Sequence, residues 1–284
     1  MKHKLEFLIL YIFYTISKLI GINCSSFLGG ILLSFYGSFS SRNSIGMKNL
    51  NYVFPKKTLE QKKRILRKMW FHFGRVVGEY PHLHKINIYN RKNLKIIGIK
   101  NLLTPLKKKN CIYFSAHLGN WELSSHPLIQ SGYKINFIYR APNNKYADKL
   151  LRKIRHKYGV KLIKKGNEGA KICIKALRNN ENLGMLIDQK MNDGLPINFF
   201  NKTAMTAPAI AKFSLKFKCP IVPALCIREK GTKFKIKYFK PLSYNFLKKL
   251  GSEKQILAYL NKIIEKWIYK YPEQWIWVHD RWKN

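Results

Sequence analysis

The sequence predicts an α/β fold, a mostly parallel sheet flanked by helices, preceded by an N-terminal membrane-anchoring helical segment. Three observations predict it. From Leu94 onward short apolar, strand-prone runs alternate with helical patterns, the rhythm of β-α-β units. From Phe7 to Ser41 the only charged side chain is Lys18, and a membrane span needs about 20 predominantly apolar residues. A chain of 284 residues with 46% hydrophobic side chains is long and apolar enough to bury a core.

Phe7 to Ser17 is too short to span alone, whereas Leu19 to Ser41 is long enough but interrupted by Gly21, Asn23, Gly29 and Gly30. Residues 1–41 are therefore expected to form a single membrane anchor or membrane-embedded helices, with 42–284 as one catalytic domain. A cleaved signal peptide is disfavoured because Arg42, Lys48, Lys56 and Lys57 follow. Positive flanks stay cytoplasmic, so the body is expected inside the cell.

Thr58-Leu59-Glu60-Gln61 has the form of a capping box, and Ile65, Leu66, Met69, Trp70, Phe73 and Val77 give its helix an apolar face that Pro81 should end. His72, His82 and His84 lie on either side of that break without acidic neighbours, so no metal site is expected. Ile112–Phe114, Ile135–Tyr139, Val160–Ile163, Leu183–Ile187 and Ile221–Cys226 read as strands. Glu122–Gln130, Lys145–Tyr158, Ala170–Arg178 and Pro208–Phe217 read as the helices between them. Phe234 to Tyr238 alternates apolar with charged, as an edge strand should. A second capping box, Ser252 to Gln255, opens a helix striped by Ile256, Leu260, Ile263, Ile264 and Trp267.

Lys and Arg number 54 against 14 Asp and Glu, a net charge of +40. Anionic lipid, an acidic protein or nucleic acid would each suit such a charge, and so would compositional drift, since the basic residues are mostly Lys accompanied by Ile and Asn. Cys24, Cys111, Cys173, Cys219 and Cys226 include no C-x-x-C pair and read as buried thiols of a reducing compartment.

The chemistry concentrates in Ser115-Ala116-His117-Leu118-Gly119-Asn120-Trp121-Glu122. His117 falls at a strand-to-helix junction, where open α/β sheets bind ligands. Its side chain takes a proton near neutrality, and a carboxylate, Glu122 being the nearest, is expected to fix its tautomer. Positions five apart on a continuous helix diverge by about 140°, so the pairing needs the turn that Gly119 and Asn120 permit. Arg140 and Asp188 each end an apolar strand and should reach the same rim, Arg140 to clamp a phosphate or carbonyl oxygen. Asp188 is expected to pair with Arg140, to support the site from behind, or to serve only a turn. Backbone N–H groups near Asn120 and Trp121 are oxyanion candidates. Phe199 and Phe200 read as core or as walls of an apolar groove. No nucleotide-binding loop and no serine nucleophile elbow occurs, and no Cys or Ser is placed for a covalent intermediate.

The box resembles the His-x4-Asp/Glu box of the lipid A biosynthesis acyltransferases, which add secondary acyl chains such as laurate to the lipid A precursor. Ile138 to Asn144, Leu186 to Gly194, Phe199-Phe200 with Met205 to Pro208, and Pro272 to Trp275 resemble that family's later blocks in the same order. The resemblance implies that His117 removes the proton of an acceptor hydroxyl with Glu122 in support, and that Arg140, Asn143, Asn144, Asp188, Gln189 and Lys190 bind substrate. It implies an acidic acyl-carrier protein as thioester donor, a lipid A precursor glycolipid as acceptor, the bacterial inner membrane as location, and no cofactor. Asp280 in His279-Asp280-Arg281-Trp282 stands where relatives commonly carry a second basic residue. A glycerolipid or another glycolipid is the alternative acceptor, and a basic nucleic-acid-binding protein at the membrane is the alternative of another class.

Overall fold

The computed structural model describes residues 2–88, 93–108 and 110–282. The strands are β1 (Leu94–Ile97), β2 (Ile112–Ser115), β3 (Ile135–Tyr139), β4 (Lys161–Lys164), β5 (Asn182–Leu186), β6 (Leu195–Phe199), β7 (Lys202–Thr206), β8 (Ile221–Lys230) and β9 (Lys233–Tyr238). Seven of them form one sheet in the order β1-β9-β8-β2-β5-β3-β4, parallel throughout except between β8 and β9. β6 and β7 form a separate antiparallel hairpin.

The helices are α1 (Lys2–Leu19), α2 (Gly21–Ser38), α3 (Arg42–Val53), α4 (Leu59–Glu79), α5 (Ile99–Lys108), α6 (His126–Gln130), α7 (Lys145–Lys157), α8 (Asn167–Arg178), α9 (Ala209–Phe217), α10 (Tyr244–Leu250) and α11 (Glu253–Lys270). Both capping boxes are formed, Thr58 opening α4 and Ser252 opening α11. Side chains alternate across the sheet, as strand geometry requires. Ile112 and Phe114 of β2 enter one core with residues of α8, α9 and α11. Cys111 and Tyr113 enter the other, with Leu102 of α5, Leu128 of α6 and Ile154 of α7. Helices on both faces are the reason these strands carry near-continuous apolar runs.

Three expectations are corrected. The strand at Phe234 to Tyr238 is internal: β1 pairs with its outer side, so its alternation reflects two differently filled faces and not a free edge. The β6–β7 hairpin falls in a stretch for which the sequence suggested no strand, only Phe199 and Phe200 as core or groove-wall residues. Cys24 is exposed, whereas the other cysteines are buried and unbridged.

The N-terminus is a helical pair broken at Ile20, with Gly21 at φ +76°. No single helix among the described residues is long and apolar enough to cross a membrane, and only α2 with α3, bent by 90°, reach that length and composition together. Of the glycines that seemed to interrupt a span, Gly29 and Gly30 are contact points with α4, while Gly21 faces open space. A Cβ on Gly74 of α4 would lie 2.1 Å from the carbonyl oxygen of Gly29, and one on Gly37 would meet the Trp70 ring at 2.3 Å. α2 thus seats its backbone directly on α4 and leaves Phe27, Ile31 and Phe35 exposed, as Leu5, Ile9, Ile12 and Leu19 of α1 are.

Candidate active site

Strand register builds the centre of the site. β2 and β5 are parallel neighbours with Ser115 opposite Leu186, so two residues beyond the carboxyl end of each strand stand His117 and Asp188. Asp188 Oδ1 accepts from His117 Nδ1 at 2.9 Å and Oδ2 from the His117 backbone N–H at 3.0 Å. The Trp275 indole N–H donates to Oδ2 at 2.8 Å. Burial by itself would push the Asp188 carboxyl up, but His117 and the three donors hold it down at about 2. An ionised Asp188 places the imidazole proton on Nδ1 and leaves Nε2 as the basic nitrogen.

The carboxylate expected in this role, Glu122, points elsewhere. It lies on a 3-10 turn, Trp121–Ser125, that faces α7. It accepts from Arg155 Nη2 at 2.7 Å and Nε at 3.1 Å, Tyr158 Oη at 2.6 Å, Tyr80 Oη at 2.8 Å and Trp121 Nε1 at 3.0 Å. Burial would raise its pKa, yet the Arg155 guanidinium and the phenol donors hold it at about 2. Glu122 is therefore an anion at neutral pH, engaged with Arg155 and its neighbouring donors, and the turn at Gly119 and Asn120 separates it from His117 without folding it back.

Between these two centres opens a cavity of about 460 Å³. His117, Trp121, Glu122, Arg140, Gln189 and Lys190 line its polar part, with Lys164 and Lys165. Phe137, Leu162, Ile187, Ile210 and Phe213 line its apolar part. The Trp121 ring lies 5.2 Å from that of His117.

The remaining predicted residues divide clearly. Arg140, at the end of β3, reaches the same cavity as His117, whereas Asp188 supports the histidine and does not meet Arg140 in an ion pair. Asn143 is exposed, and Asn144 caps α7, accepting from the Tyr146 and Ala147 N–H groups and donating to the His3 carbonyl. Neither asparagine lines the cavity. Asn120 is buried and its side-chain amide donates to Glu79 at 2.7 Å, which fixes the turn whose backbone N–H groups were the oxyanion candidates. Phe199 and Phe200 pack among Trp282, Trp275 and Tyr269 in the core and do not line the cavity beside His117. An aromatic pair at the end of a buried hairpin fills space between helices, which is the commoner fate of such residues.

Sequence reasoning missed Arg155, Tyr80 and the support Trp275 gives to Asp188. A signal for the first existed: Leu151, Ile154 and Tyr158 mark the inner face of the expected helix, and a cation among them needs a buried anion. In the C-terminal segment Arg281 donates to the Met205 carbonyl and to Thr206 Oγ1, and His279 Nε2 accepts from the Lys190 N–H at 2.9 Å. That segment braces the loop after β5 from within.

Fold and site define a class: an α/β protein with a carboxylate-tethered histidine facing a partly apolar cavity at the carboxyl edge of its parallel sheet. The sequence profile described as bacterial lipid A biosynthesis acyltransferase matches residues 2–284, and the chain belongs to that family. It is 23% identical over 239 residues to the "Lipid A biosynthesis acyltransferase" of Haemophilus influenzae, covering 81% of this chain and 72% of that protein. It is 22% identical over 254 residues to the "Lipid A biosynthesis palmitoleoyltransferase" of Escherichia coli strain K12, covering 86% and 79%.

Proposed function

We propose that this acyltransferase carries a fatty acyl chain from an acyl-carrier-protein thioester to a hydroxyl of an acylated lipid A precursor, at the cytoplasmic side of the bacterial inner membrane. The observation that carries the reading is the His117–Asp188 pair, whose imidazole lines the cavity with Nδ1 tied to the carboxylate. Nε2 takes the hydroxyl proton as that oxygen attacks the thioester carbonyl, and Asp188 stabilises the imidazolium. The carbonyl oxygen becomes an oxyanion, for which the Arg140 guanidinium, lining the same cavity as His117, is the donor we assign. The C–S bond then breaks, the new ester forms, and the imidazolium proton passes to the departing thiolate. Glu122 acts at one remove, holding Arg155 and the floor under Trp121.

The apolar wall suits an alkyl chain, which offers only CH₂ surface worth about 0.8 kcal/mol per buried group. The cationic rim, Arg140, Lys164, Lys165 and Lys190, suits phosphates of a glycolipid or of a carrier-protein prosthetic arm. The exposed apolar residues of α1 and α2 suit insertion into one leaflet. A glycerolipid acceptor would use the same cavity. Mass spectrometry of lipid A from cells with the gene deleted, and complemented by wild type or His117→Ala, tests the reading. One acyl chain should be missing in the deletion and with His117→Ala, and restored by wild type. Unchanged lipid A in the deletion would refute it.

A further inference from the structure

The C-terminus of α4 presents two consecutive side chains to the segment that carries the site. Tyr80, directly after Glu79, donates to Glu122, and Glu79 itself accepts from the Asn120 amide at 2.7 Å. Glu79 is fully buried. Arg228 of β8 meets it with Nη1 at 2.5 Å and Nη2 at 2.8 Å, and Ser26 Oγ of α2 donates at 2.6 Å. Both carboxylate oxygens are thereby saturated. Burying such a pair is costly and contributes little net stability, so its value lies in fixing one arrangement.

What it fixes is the turn between His117 and Glu122. His117 is tied to β5 through Asp188, and Glu122 to α7 through Arg155. Asn120 sits between them as the residue preceding the 3-10 turn. The turn also lies hard against β8: a Cβ on Gly119, at φ +66°, would meet the Cys226 carbonyl oxygen at 1.7 Å. Gln274 completes the clamp. Its carbonyl accepts from the Gly119 N–H at 3.0 Å, while its side chain bonds the Arg228 backbone N–H and carbonyl, each at 2.9 Å.

We propose that Glu79, held by Arg228, is a positioning residue for acyl transfer: through Asn120 it sets the geometry of the turn that presents His117 to the cavity. The proposal rests on His117 being the base of the proposed reaction. It touches neither substrate nor the reacting atoms.

The test is a one-atom change in the turn. Asn120→Asp replaces the donor facing Glu79 by an acceptor, and the misplaced turn should lower kcat about 100-fold with KM held within about threefold. The double variant Glu79→Gln/Asn120→Asp restores a donor opposite an acceptor at unchanged net charge, though it sets the new amide against Arg228 Nη2, and should recover part of that loss, about threefold or more. Full activity in Asn120→Asp would overturn the proposal. Hydrogen exchange of the amides in residues 117–122 gives a readout independent of activity. It should rise about tenfold in Asn120→Asp and fall back in the double variant. If wild type transfers no acyl chain, the reading of function fails, while unchanged exchange in Asn120→Asp would still sink the positioning role.

Discussion

Asp188 holds His117 twice, once at Nδ1 and once at the backbone N–H, at 2.9 and 3.0 Å. A single carboxylate therefore sets both the tautomer of the ring and the course of the chain that bears it. Replacing it should damage catalysis more than folding. Asp188→Asn keeps an acceptor for Trp275 but offers the ring an amide, and kcat should fall about 100- to 10,000-fold. Steady-state rates on a variant whose circular dichroism matches wild type check this, and a loss under about tenfold would remove Asp188 from the mechanism.

Glu122 should behave in the opposite way. Glu122→Ala leaves the buried Arg155 guanidinium without its anion, at a cost of about 3–5 kcal/mol. The melting temperature should drop sharply, and Arg155→Met with Glu122→Ala should regain much of it. Were Glu122→Ala as stable as wild type, the ion pair would not be a structural element.

Acid should loosen the fold in two stages. His279 is held at about 4, from an ordinary 6.5, by burial, which outweighs the opposing pull of Asp188, and His72 at about 3 by burial and Arg228. Between pH 6.5 and about 4 the unfolded chain binds protons at these sites that the native chain does not, so stability declines as pH falls through that window. Asp188 and Glu122, depressed from 3.8 and 4.5 to about 2, contribute stability that is present above pH 4.5 and lost as pH falls towards 2. Melting curves should show both stages, and His279→Gln should flatten the first. A melting temperature constant from pH 6.5 to 4 would contradict the burial of these rings as neutral groups.

The seating of α2 on α4 makes Gly74 intolerant of any side chain. Gly74→Val should cost about 3 kcal/mol because its Cβ would meet backbone and not a flexible tip. Thermal denaturation in detergent measures it. An unperturbed Gly74→Val would show that α2 is free to shift.

Cys173 and Ile210 line the apolar part of the cavity and are themselves buried. Cys173→Phe should shorten the acyl chain that is transferred, with kcat on the shorter donor retained. A chain-length series of donors reads the outcome, and an unaltered preference would place the alkyl chain elsewhere.

The sequence by itself determined the layered α/β architecture, both capping boxes, the placement of His117 at a strand end and the arrival of Arg140 at the same rim. Each follows from near neighbours in the chain, through periodicity, capping and strand-end geometry. Which carboxylate meets the histidine was decided only by tertiary structure. Glu122 is close in sequence yet turned away, while Asp188, 71 residues on, arrives because β5 pairs beside β2 in register. Strand order and register are long-range choices that local pattern does not encode. The same holds for Gly29 and Gly30 of α2, which read as breaks in a span until α4 is laid against them, and for Phe199 and Phe200, whose apolar character suits a groove and a core alike until the partners that fill the space are known.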